Sequence, residues 1–153
     1  VYTDGSYVNN KRKYFSLSGA GVWWPNRNLV DNPLSSAERE MGWETKCHDG
    51  VSLRTAIAGH GGSSTRAEIA AGIIACQADA AVNVGSDSQS FIIKANNIAK
   101  RGTKGTRPRR PWSTQKDGDM WQLLRETFVQ KGTRSKPPKS KDTPSLKWAK
   151  KER

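Results

Sequence analysis

Three acidic residues, far apart along the chain, occupy settings in which carboxylates do metal chemistry. They are Asp4 in Val1-Tyr2-Thr3-Asp4-Gly5-Ser6, Glu68 in Ser64-Thr65-Arg66-Ala67-Glu68-Ile69-Ala70-Ala71, and Asp87 in Val84-Gly85-Ser86-Asp87-Ser88-Gln89. The first is expected at a strand-to-glycine exit, the second in the first turn of an alanine-rich helix, and the third at the end of a short strand. Phosphodiester hydrolysis needs a water made more nucleophilic and charge neutralised on the leaving oxygen, and two Mg²⁺ ions about 3.5–4 Å apart do both. Mg²⁺ takes hard oxygen ligands and keeps several waters, so a few carboxylates plus substrate phosphates suffice. Carboxylates held that close raise one another's pKa until a cation arrives. Singly, Asp4 reads as a turn acid before Gly5, Glu68 as a capping-box partner and Asp87 as an Asx-turn acid. Their order along the chain is what points to a metal centre.

The elements that must position them can be read from pattern. Val1-Tyr2-Thr3 and Gly19–Trp24 read as strands joined by a polar loop, and Val51–Ala58 as a third. Residues 31–50 read as an insert with turn chemistry at both ends. Ser64 or Thr65 is the expected N-cap of a helix with Glu68 near N3, and Ala67, Ala70, Ala71, Ile74 and Ala75 recur at helical spacing to give one buried face. Ala80–Ser86 reads as a fourth strand and Phe91–Ala99 as a second helix. Asp119 is expected to cap a third helix running to Gln130, with Met120, Leu123, Leu124 and Phe128 inward. Beyond Gly132 the chain turns to Lys, Ser and Pro, with a last strand at 145–149. Strands, helix, strand, helices and a last strand describe an α/β domain with a mixed sheet.

Charge is concentrated. Seven bases and no acid lie between Lys100 and Lys116, and nine bases face two acids from Lys131 to Arg153, in a chain of net charge +12. Two basic segments beside a nearly neutral remainder are the footprint of a polyphosphate binder; a solvated loop and tail are the plainer alternative. No apolar run is long enough to cross a membrane. No signal-peptide pattern opens the sequence, and two cysteines are too few for a disulfide scaffold, so an intracellular setting is expected.

The acid-bearing segments resemble the ribonuclease H family. Thr3-Asp4-Gly5-Ser6 looks like the family's first strand, Thr65-Arg66-Ala67-Glu68 the start of its first helix, and Ser86-Asp87-Ser88-Gln89 the end of its fourth strand. Asp117-Gly118-Asp119-Met120-Trp121-Gln122-Leu123-Leu124 is similar to a further helix start in cellular members. The resemblance covers residues 1–130, ahead of the basic tail 131–153, and implies a five-stranded mixed sheet flanked by helices. It implies a metal-dependent endonuclease cutting the RNA strand of RNA–DNA hybrids, a segment of a retroelement polyprotein being one source. Asp4, Glu68 and Asp87 would be both catalytic and metal-holding, with Mg²⁺, or alternatively Mn²⁺, as cofactor. The family reads hybrids through 2′-hydroxyls, not sequence. By resemblance Gly5, Ser6, Ser64, Thr65, Arg66, Ser88 and Gln89 would touch substrate. Residues 100–116, with Lys104, Arg107, Arg109, Arg110 and Trp112, are similar to the basic protrusion that grips the DNA strand.

One departure is visible. Active members carry a fourth carboxylate on a last helix, after a Trp-Val-Lys strand and a Gly-His loop; here Leu146-Lys147-Trp148-Ala149-Lys150 looks like that strand and Lys151-Glu152-Arg153 follows. A segment cut from a longer protein would explain it. So would a catalytically impaired binding module, or a structural subunit of a ribonucleoprotein holding RNA. Among other features, Cys47-His48 and Cys76 (read as mid-helix) do not form a zinc pattern. His60 reads as a turn residue, and Trp23-Trp24 as a core-plus-edge pair.

Overall fold

Ser18, Ala20, Val22 and Trp24 alternate with Gly19, Gly21 and Trp23, and that period of two makes Leu17–Pro25 a strand with one wholly buried face. In the computed structural model, which describes residues 1–8, 17–47, 49–57, 62–79, 82–102, 108–134 and 147–150, this strand (β2) is the middle of the sheet. It pairs antiparallel with β1 (Tyr2–Val8) on one side and β4 (Gly50–Ile57) on the other. β4 pairs antiparallel with β3 (Trp43–Cys47). β5 (Asn83–Ser86) runs parallel to β1 and to β6 (Lys147–Lys150), giving the order β3-β4-β2-β1-β5-β6. The molecule is an α/β domain, its mixed sheet flanked by helices.

The sheet has six strands where five were expected, and the additional one comes from the segment read as an insert. That segment forms α1 (Ser36–Met41) and the edge strand β3. Ser35 caps α1 in a complete capping box with Glu38, whose carboxylate is fully buried and takes a two-pronged ion pair from Arg27. Trp43, Glu44 and Thr45 are all exposed, so these residues of the edge strand present no buried face.

α2 (Ser64–Ala75) was expected to bury one face, yet every residue from Ala67 to Ala75 is buried. Alanines and Gly72 keep the helix slim enough to lie between β1 and β2 on one side and α4 on the other. Its N-cap is Ser63, not Ser64 or Thr65: Ser63 is extended and its hydroxyl accepts from the Arg66 N–H at 2.9 Å. Cys76 closes the helix as C-cap; it is not mid-helix. α3 (Gln89–Gly102) buries Phe91, Ile92, Ala95 and Ile98. α4 (Gly118–Arg134) buries Trp121, Leu124 and Phe128 but leaves Leu123 exposed, a face rotated from the one expected. Trp121 owes its burial to Phe91, against which it stacks at 5.8 Å. Asp119 lies inside the first turn of α4 and does not cap it. The tryptophan pair divides as expected: Trp24 is buried beneath the Arg27 guanidinium, while Trp23 stacks on Tyr2 at 5.6 Å. No helix among the described residues is long and apolar enough to cross a membrane. His48, His60, Ala80, Ala81 and nearly all of the tail lie outside the described residues.

Candidate metal centre

β1 carries Asp4, and the strand continues through Gly5 to Val8, so Asp4 is within the strand and not at its exit. Asp87 follows directly on the last residue of β5, the parallel neighbour of β1. Both side chains are exposed. Glu68 comes from the second turn of α2, is buried, and reaches the same place from beneath. The three carboxylates each offer an oxygen, and these lie within 4.8 Å of one another. This acidic group can hold a metal ion.

Glu68 is oriented by the strands that bear the other two acids. The Gly5 N–H donates to its Oε1 at 3.0 Å, and the Ser86 hydroxyl donates to its Oε2 at 3.1 Å. Its capping-box reading therefore fails: Glu68 lies two residues beyond N3, which is Arg66. Burial pushes the Glu68 carboxyl above the usual glutamate range, helped by the negative charges of Asp87 and Asp4 and opposed by the two hydrogen bonds. No lysine or arginine pairs with Asp4, Glu68 or Asp87 among the described residues. Three oxygen donors spaced to share one ion, with no lysine or arginine paired to them among the described residues, suit a hard divalent ion.

The sign of the Glu68 shift makes a testable consequence. A carboxyl whose pKa is raised by folding adds stability below the ordinary glutamate value and loses that contribution as pH climbs through its folded value. In metal-free protein, Glu68→Gln should therefore gain stability relative to wild type as pH rises from about 4.5 toward neutrality. Added Mg²⁺ should stabilise wild type at neutral pH by mass action and leave the variant's stability almost unmoved. Urea midpoints across pH in EDTA, then with Mg²⁺, measure both. A variant that loses ground to wild type as pH rises in EDTA would contradict the crowding of charge at this site.

The remaining expected contact residues are not all free for substrate. Arg66 lies beside the centre, but its guanidinium grips Asp119 in two bonds of 2.9 and 2.6 Å and stands 3.9 Å from Asp117. Asp117 in turn accepts from the Ser63 hydroxyl at 2.8 Å, so this network ties the starts of α2 and α4 together. The Gly5 N–H is given to Glu68. Ser6 and Ser64 are exposed, Thr65 and Ser88 half-buried and Gln89 exposed, all at element ends around the acids except Ser6, which follows Asp4 by two residues on β1. Arg109 and Arg110 are exposed, and Trp112 opens a short 3-10 turn and packs against the core; Lys104 and Arg107 lie outside the described residues. Sequence reasoning missed Lys94 and Arg125, which line a groove of about 380 Å³ together with Arg101, Arg109, Arg110 and Trp112. It also missed Ser63, Ser86 and Asp117 as organisers of the acidic residues' surroundings. The only available signal was a hydroxyl immediately before an acid in Ser86-Asp87.

Fold and site together define an α/β domain in which two neighbouring parallel strands and a buried helix bring three carboxylates into one acidic group that can hold a metal ion. A scan against protein-family models and a search of curated proteins each gave no match for this chain.

Proposed function

We propose that this chain is a metal-dependent endonuclease of the ribonuclease H type, hydrolysing the RNA strand of RNA–DNA hybrids. The observation that carries the reading is the meeting of Asp4, Glu68 and Asp87, from β1, α2 and the end of β5, within 4.8 Å. Acids collected from three elements repel one another, and a fold that keeps them together uncompensated is built around a cation. Their all-oxygen character favours Mg²⁺, with Mn²⁺ as substitute. When bound, such an ion supplies a more nucleophilic water and neutralises charge on the phosphoryl and leaving oxygens.

The chain's own residues divide the remaining work. Asp4 and Asp87, exposed, present oxygens on the side from which a sugar–phosphate strand arrives, and buried Glu68 closes the floor. Ser64 and Thr65 in the first turn of α2, and Ser88 and Gln89 where α3 begins, are short polar groups suited to minor-groove 2′-hydroxyls. Arg109 and Arg110, with Lys94, Arg101 and Arg125 of the groove they line, provide attraction to phosphates that is independent of sequence and weakened by salt.

The test is cleavage of a hybrid labelled on its RNA strand, run beside RNA–RNA and DNA–DNA duplexes. The expected result is RNA scission in the hybrid alone, dependent on Mg²⁺ or Mn²⁺ and abolished by EDTA. Tight hybrid binding with no scission at any concentration of either metal would replace the enzyme with a non-catalytic clamp.

A further inference from the structure

Ser86 is completely buried at the end of β5, yet it keeps a hydroxyl there. A buried hydroxyl without partners costs stability, so its bonds are informative. The Ser88 N–H donates to Ser86 Oγ at 3.1 Å, and the Ser86 hydroxyl donates to Glu68 Oε2 at 3.1 Å. The first bond occupies an acceptor position on Oγ and helps orient the hydroxyl, whose proton is the donor to Glu68. The same bond closes the turn Ser86-Asp87-Ser88, which presents Asp87 to solvent. One side chain thus orients the buried acid and shapes the loop that carries an exposed one. Across the centre, the Gly5 N–H holds the other oxygen of Glu68, and Gly5 is the neighbour of Asp4. The residue after the first acid and the residue before the third therefore clamp the second between them. A carboxylate has about four lone-pair positions; with one on each oxygen taken by the clamp, those left can serve a cation.

We infer that Ser86 is a positioning residue, whose hydroxyl presets Glu68 and the Asp87 turn for divalent-metal binding. It rests on the metal-dependent reading given above. Ser86 touches neither substrate nor metal; it acts through the two acids. Groups of this kind, which orient metal-holding side chains, typically change metal affinity by about 10–100-fold when lost.

Calorimetric titration of Mg²⁺ into wild type, Ser86→Ala, Ser86→Cys and Ser86→Thr tests this, with urea midpoints recorded for each. Removing the hydroxyl should raise the Mg²⁺ dissociation constant by about 10–100-fold. Ser86→Cys fills the same buried space with a weak donor, so the comparison survives if the Ala variant is too unstable to titrate. Ser86→Thr keeps the hydroxyl and should bind Mg²⁺ much as wild type does. Hybrid cleavage by the Ala or Cys variant should recover as Mg²⁺ is raised, because the defect is in affinity. A lower urea midpoint with unchanged Mg²⁺ affinity in both variants would reduce Ser86 to a structural residue and overturn the inference alone. Wild-type protein that takes up no Mg²⁺ would overturn the metal centre as well.

Discussion

Asp4→Asn, and separately Asp87→Asn, should leave a protein that binds an RNA–DNA hybrid as tightly as wild type and scarcely cuts it. The substitution keeps volume and one acceptor oxygen but removes the charge that attracts a divalent ion. Stabilisation of transition-state charge by a bound metal amounts to several kcal/mol, so loss of a ligand should lower kcat by about three orders of magnitude, or ~4 kcal/mol of barrier. Both side chains are exposed, and neither makes a hydrogen bond that holds the fold together among the described residues. Structure should therefore survive. The metal-free variants should melt no lower than wild type, because one of three mutually repelling charges is gone and the pressure of Asp4 and Asp87 on Glu68 is relieved. Single-turnover cleavage with saturating enzyme, alongside filter binding, separates the two effects. Cleavage by either variant within about tenfold of wild type would remove that acid from the site.

Loss of activity with retained or raised stability would also separate the metal centre from the plainer readings of each acid. Asparagine serves a turn or a helix cap about as well as aspartate, so a plain turn acid loses neither activity nor stability on this change, whereas a metal-holding acid loses activity. That distinction was invisible in sequence, where Glu68 follows three consecutive hydroxyl residues, Ser63-Ser64-Thr65, any of which caps a helix equally well on paper. The choice among them is made by backbone angles: Ser63 is extended at φ −143° and ψ 155°, and a start two residues earlier carries Glu68 past the capping position. The three acids were legible only together, through their order along the chain and their local settings, since each has a structural use when taken singly. The six-stranded order was not, since β3 is a short edge strand within a stretch rich in turn residues, and its Trp43, Glu44 and Thr45 are all exposed. Nor was the all-round burial of α2, whose alanines and isoleucines advertise one face while a second layer, α4, covers the other. The double coverage is a tertiary fact, decided by a helix distant in the chain, whereas β3 pairs, among the described residues, only with the strand that follows it.

Gly5 shows the same ambiguity at a single position, and a large effect on stability is expected there. Beside Asp4 it reads as a turn glycine, but its backbone is not in the left-handed region, and alanine at such a strand position would ordinarily be neutral or mildly stabilising. Its role is proximity. A Cβ on residue 5 would fall 2.5 Å from the Glu68 nitrogen and 2.6 Å from the Ala67 carbonyl carbon, both backbone atoms of α2. Neither can rotate aside, and α2 cannot retreat because α4 packs behind it. Overpacking in a core costs about 1–3 kcal/mol and occasionally more, and contact with fixed backbone puts Gly5→Ala at or beyond the upper end. For a chain of this length that corresponds to a fall in melting temperature of roughly 10 °C. Gly132 in α4 provides the control, since a Cβ there meets nothing within 4 Å. Gly132→Ala should stabilise by about 0.5–1 kcal/mol through helix propensity alone. The Gly5 variant that still folds should also bind Mg²⁺ more weakly, because any shift of α2 from β1 stretches the Gly5–Glu68 bond and separates Glu68 from Asp4. Urea midpoints for both variants, with slopes unchanged, measure the contrast. A Gly5→Ala protein as stable as wild type would mean that α2 does not lie against β1 at this point, and the floor of the acidic site would have to be rebuilt.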